Sequence, residues 1–140
     1  MTEIQGISKD LNRLIERAKG VLAAHPQVLF AYLFGGLARG TSSPSSDIDV
    51  AVFIDDRSDL AVKKLDLLSD LIDNLGTDEI DLVLLNTAPL PLKARVIRNN
   101  EILVDRKPYL RHSFESLVLR EYFDFSVLEE AILKRRFSIG

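Results

Sequence analysis

Residues 34 to 53, FGGLARGTSSPSSDIDVAVF, constrain this chain more than any other stretch. They read as the end of one strand, a glycine turn, a short helical or looped segment, and then a second strand. Gly35 and Gly36 carry no Cβ, so the backbone there can take positive φ and come close to a ligand. Amide N–H groups exposed in such a turn form a concavity for anions, and phosphate suits it well. Arg39 follows three residues after Gly36, a fixed cation able to make paired hydrogen bonds to phosphate oxygens. Ten residues separate Gly36 from Asp47, and Asp47-Ile48-Asp49 opens an apolar strand. Side chains two apart on a strand share a face, so Asp47 and Asp49 project together. Neighbouring carboxylates repel unless a cation lies between them, and Mg²⁺ is the hard cation they share with nucleotide phosphates.

Each piece has a plainer reading. A Gly-Gly pair is usually just a turn, and Arg39 is equally a solvated side chain. Asp-x-Asp after Ser-Ser is by itself more often a strand entry with side-chain caps than a metal site. Ser46 either reaches a phosphate or caps the turn, and capping is the simpler role. A calcium loop of the EF-hand kind is excluded, because positions 51 and 53 are Ala and Phe. The combination of strand, Gly-Gly, Arg, spacer, Asp-x-Asp and strand is what favours phosphate chemistry.

The remaining elements can be read in order. Ile7, Leu11, Leu14, Ile15, Ala18, Val21 and Leu22 form a helical stripe over residues 7 to 24, with Ser8 as a candidate N-cap. His25-Pro26 ends that helix, and His25 reads as a surface or capping residue rather than a base. Val28 to Phe34 is a buried strand that delivers the chain to Gly35. In the strand beginning at Ile48, the residues Ile48, Val50 and Val52 should face a helical layer, leaving the carboxylates on an open face. Residues 59 to 75 form the next helix, stopped by Gly76, with Asp66, Asp70 and Asp73 on a solvated side. Residues 79 to 85 form a third strand with Asp81 at its mouth. An acid there is usually a boundary marker, but a strand beside Asp49 is also where a third carboxylate would complete a two-cation site. A short helix from Leu92, an edge strand from Glu101 to Val104 and a last helix over residues 109 to 136 complete the chain. That last helix is apolar on more than one face, which fits either a partner surface or packing within the domain. Lys134, Arg135 and Arg136 suit its C-terminal dipole.

A chain of 140 residues predicts one domain spanning residues 1 to 140. A net charge of −3 gives no general attraction to nucleic acid, so no direct nucleic-acid binding is expected. Zero cysteines exclude thiolate catalysis and disulfides. With neither a long apolar run nor a leader-like N-terminus, a cytoplasmic protein without membrane contact is expected.

The Gly35-Gly36, Arg39 and Asp47-Ile48-Asp49 pattern resembles the nucleotidyltransferases of the DNA polymerase β superfamily. Their signature is Gly-Ser, ten residues and Asp-x-Asp. It is most similar to their minimal members, the MNT antitoxins encoded with HEPN-domain toxins, and the likeness continues weakly through Asp81-Leu82-Val83 and Leu85-Asn86-Thr87-Ala88-Pro89. The resemblance implies an α/β (α+β) polymerase β-like fold, a small mixed sheet with helices on one face and an open catalytic face. It implies Asp47, Asp49 and Asp81 as catalytic and metal-holding residues, the first two bridging two Mg²⁺ ions and Asp81 holding the ion that activates the acceptor. Gly35, Gly36, Arg39 and Ser46 would hold the phosphates of ATP. The implied activity is protein adenylylation, transfer of AMP to a tyrosine hydroxyl of a HEPN RNase toxin bound as a hetero-oligomer. A non-catalytic antitoxin that covers the toxin, or a transferase acting on a small molecule or RNA, are the alternatives. One departure is notable: the family's Ser is Gly36 here, so the backbone donors remain and the hydroxyl does not.

Overall fold

The computed structural model describes residues 2–38, 48–57 and 59–137, with side chains left aside at 2–9, 37, 38 and 137. The described elements run α1 (Thr2–Ala23), β1 (Val28–Phe34), α2 (Gly35–Ala38), β2 (Ile48–Ile54), α3 (Leu60–Leu75), β3 (Ile80–Leu84), α4 (Leu90–Arg98), β4 (Asn100–Asp105) and α5 (Pro108–Phe137). Four strands form one mixed sheet in the order β3-β2-β1-β4. β1 runs antiparallel to both β2 and β4, while β2 and β3 are parallel. The predicted edge strand is indeed at an edge, and the helix read from residue 7 starts earlier, at Thr2.

Strand alternation sets the two layers. Val50, Val52 and Ile54 point to one face, where Ile15, Ala18 and Leu22 of α1 and Leu67, Leu71 and Leu75 of α3 bury them. Each such valine, leucine or isoleucine taken fully out of water contributes about 1.5–3 kcal/mol. Asp59 caps α3 by accepting from the amides of Ala61 and Val62 at 3.1 and 3.2 Å. Gly76 ends α3 at φ 71°, the left-handed conformation that glycine takes without a Cβ penalty. Arg106 closes the end of α1, its guanidinium donating to the carbonyls of Ala23, His25 and Val28.

The opposite face is open only in part. Phe30, Tyr32, Phe34, Ala51, Leu85 and Val96 form a second buried cluster, to which α4 adds Leu92 and Ile97 and α5 adds Phe114. The Tyr32 hydroxyl donates to Glu115 at 2.7 Å, and Glu115 also accepts from Arg111 at 2.9 Å, which fastens α5 to the sheet. Burial, and then the hydrogen bond to Glu115, push the Tyr32 phenol far above its ordinary range. A pKa raised on folding stabilises the fold at every pH below the unfolded value of about 10 and loses that contribution as pH climbs beyond it. Tyr32→Phe should therefore cost about 1 kcal/mol in urea unfolding at neutral pH and flatten the alkaline fall in stability.

His25, expected as a surface or capping residue rather than a base, is largely buried at the end of α1. Its side chain is 13% exposed; Nε2 donates to Asp70 at 2.6 Å and Nδ1 accepts from Lys63 at 2.8 Å. The ring thus ties the end of α1 to α3, and Asp70 is part of that tie as well as of a solvated side. Helical periodicity places Asp70 outward but does not reveal that the α1 terminus reaches it.

The first half of α5 packs, with Val118 buried. Beyond it Tyr122 and Ser126 are half-buried and the other described side chains are exposed: Phe123 is 67% exposed, Leu128 59% and Ile132 51%. Packing within the described residues therefore does not cover these side chains. Among the described residues no helix is long and apolar enough to cross a membrane.

Candidate active site

The site lies where the ends of β1, β2 and β3 meet α2. Phe34, the last residue of β1, pairs with Asp49 of β2, and Asp49 pairs in turn with Asp81 of β3. Residues paired across strands point to the same face, and neighbouring strands lie about 4.8 Å apart. Asp49 and Asp81 therefore project side by side, Asp49 half-buried and Asp81 exposed. Ile48 N–H donates to the Glu79 carbonyl at 2.9 Å, continuing the ladder one step outside the pair. Asn86 finishes the other end: its amide donates to the Ile54 carbonyl at 2.7 Å and its Oδ1 accepts from the Ile54 amide at 3.0 Å. The β2–β3 register is thus held from both sides.

The turn predicted at Gly35-Gly36 is the start of α2, and the positive φ falls on Gly35, at 75°. A Cβ on Gly35 would overlap a carboxylate oxygen of Asp49 and lie 3.1 Å from its carboxylate carbon. Glycine is needed here for both reasons, backbone conformation and the space the carboxylate occupies. Gly36 follows within α2 and is partly exposed.

A cleft of about 340 Å³ opens over this region, lined among others by Phe34, Asp49, Asp81, Lys64, Thr87 and Arg95. The Arg95 guanidinium sits 5.9 Å from the centre of the Phe34 ring. Thr87 belongs to the family-like run after β3, whereas Lys64 and Arg95 carry no motif of their own. Lys64 lies in an amphipathic helix, and Arg95 lies where a basic residue suits a helix dipole. Only the tertiary arrangement brings them to the carboxylates. Arg39, Ser46 and Asp47 lie outside the described residues, and so does any contact of theirs with the cleft. Among the described residues no three acidic, histidine or cysteine side chains converge on one point.

The family described as "Polymerase beta, Nucleotidyltransferase" matches residues 16–109, and the chain belongs to that family. Among solved structures, the fold resembles chains of toxin–antitoxin complexes. One is a toxin–antitoxin with AMP-PNP, at a TM-score of 0.71 and 26% identity, covering 86% of this chain and 96% of that one. Another is the MntA–HepT toxin–antitoxin, at 0.64 and 25% identity, covering 91% and 97%. A third, 24% identical at a TM-score of 0.62 and covering 91% and 96%, is a tri-AMPylated Shewanella oneidensis HEPN toxin in complex with its MNT antitoxin. That last likeness speaks to the fold alone. No curated protein matches the chain.

Proposed function

We propose that this protein is an antitoxin that transfers AMP from ATP to a tyrosine hydroxyl of a HEPN-type toxin. The observation that carries the reading is the in-register pairing of Asp49 with Asp81 at the cleft, beside the Gly35 turn. The AMP-PNP found with one relative supports ATP as the substrate, and the toxin complexes of the relatives support the partner.

Two carboxylates set side by side on one sheet face are oxygen donors of the kind Mg²⁺ takes, so the residues present fit that ion. Asp49 and Asp81, with Asp47 before them, would hold it, and it would supply positive charge against the phosphates. The chain's own residues do the rest. The acceptor hydroxyl oxygen forms a bond to the α-phosphorus, the bond from that phosphorus to the bridging oxygen breaks, and pyrophosphate leaves. Asp81, the more exposed carboxylate, takes the hydroxyl proton. The Gly35 and Gly36 amides with Arg39 would hold the departing phosphates by donating hydrogen bonds to them. Ser46 either joins them or caps the turn.

Gly36 in place of the family's serine favours one other reading, an antitoxin that only covers its partner. A single co-expression experiment separates them. The variant Asp47→Ala with Asp49→Ala should still co-purify with the toxin, yet fail to protect cells and leave the toxin without the added mass of AMP. Full protection by that variant, with an unmodified toxin, would remove adenylylation and leave the covering role.

A further inference from the structure

Beside the carboxylate cleft, and sharing Arg95 with it, lies a second groove of about 570 Å³ between α4 and α5. Its described lining is Pro91, Arg95, Arg98, Asn99 and Tyr122. Guanidinium, amide and phenol donors dominate, and no acid is among them. Arg95 and Arg98 lie three apart on α4, the spacing at which like charges on a helix repel. Neither makes an ion pair with a described residue, in a chain whose net charge is −3. Both fall in the last turn of α4, where the dipole favours cations, and both also line this groove. The groove also leads somewhere. Tyr122 stands 6.4 Å, ring centre to ring centre, from Phe125, one of the exposed apolar side chains of α5.

We propose that this groove is an acceptor subsite, which takes an acidic peptide segment of the protein that receives the nucleotide. The proposal rests on the transferase reading above. A partner seated on the exposed half of α5 would reach the Asp49–Asp81 cleft along this path. Arg98 and Arg95 would meet carboxylates flanking the acceptor hydroxyl, guanidinium forks pairing with carboxylates by two parallel hydrogen bonds. Arg98 is a specificity residue in this scheme, remote from the reacting atoms.

The test uses the full chain with two fluorescent probes of matched length, a Glu/Tyr copolymer and a Lys/Tyr copolymer, read by anisotropy. Wild type should prefer the acidic copolymer, and Arg98→Gln should weaken that binding about tenfold. Arg98→Glu should reverse the preference. All three proteins should melt together, because Arg98 is exposed. Indifference of wild type to probe charge, or equal binding of the acidic probe by wild type and Arg98→Glu, overturns the proposal. Titration with a non-hydrolysable ATP analogue identifies the rival occupant. If Arg98→Glu weakens the analogue as much as the copolymer, the groove takes nucleotide phosphates and the acceptor assignment falls. A charge preference that holds while wild type transfers no AMP to any tyrosine supports the groove and overturns the transferase reading instead.

Discussion

Asp49→Asn will lower transfer of label from α-labelled ATP by at least about 10³-fold, on the order of 4 kcal/mol of barrier, while the protein stays folded. Asn keeps the size of the side chain but supplies one neutral oxygen where a carboxylate stood. The fold should not suffer, because Asp49 is only half-buried and its neighbour across the strands is another acid. Removing one of two adjacent negative charges should hold or raise the melting temperature. The measurement is therefore paired: single-turnover transfer and thermal unfolding on the same preparation. Transfer at the wild-type rate would remove Asp49 from the chemistry. Lost transfer with a lower melting temperature would reassign it to the fold.

Gly35→Ala should strike both properties at once. Alanine at φ 75° costs about 1–2 kcal/mol in backbone strain. Its Cβ would also overlap the Asp49 carboxylate, so one of the two must move. A displacement of about 1 Å at a reacting centre can cost 10²-fold in rate, and transfer should fall by about that factor. Gly20→Ala is the matched control, since a Cβ there meets nothing within 4 Å and alanine favours the surrounding helix. It should be neutral or slightly stabilising, with full transfer. If Gly35→Ala behaves like Gly20→Ala, the close approach of Gly35 to Asp49 has no functional weight.

Much of this architecture was legible from residue pattern because the pattern itself is what the fold buries. The period-two run at Ile48 named both its strand and the face that now packs, and residues 59 to 75 named the helix that covers it. Asp81 was readable as the neighbour of Asp49 because its strand carried the same alternation, and the parallel register bears that placement out. What pattern could not supply was anything decided across the molecule. Lys64 and Arg95 come to the cleft from helices whose sequences mark them only as polar and basic. The open face proved half covered because Tyr32 and Phe114 belong to a second cluster that α5 closes, over eighty residues along the chain from β1. His25 found Lys63 and Asp70 for the same reason. A glycine pair announces a turn without saying which member takes the positive φ; here it is Gly35.

The pairing of Asp49 with Asp81 ties the working of this protein to its folding in an unusually direct way. Ile80, Leu82 and Leu84 belong to the buried layer under α1 and α3, and Asp81 lies between the first two. A slip of β3 by one residue would turn all of them over, sending a carboxylate into that layer and leucines into the cleft. A buried unpaired carboxylate is too costly for a small domain to carry. The alternation that aims Asp81 at its neighbour is thus the same one that keeps the sheet together. A chain that pairs its strands wrongly is then not a dead copy persisting beside live ones but one that fails to persist at all. Such a sheet proofreads its own centre: a β3 paired out of register loses its buried layer together with its pair of carboxylates.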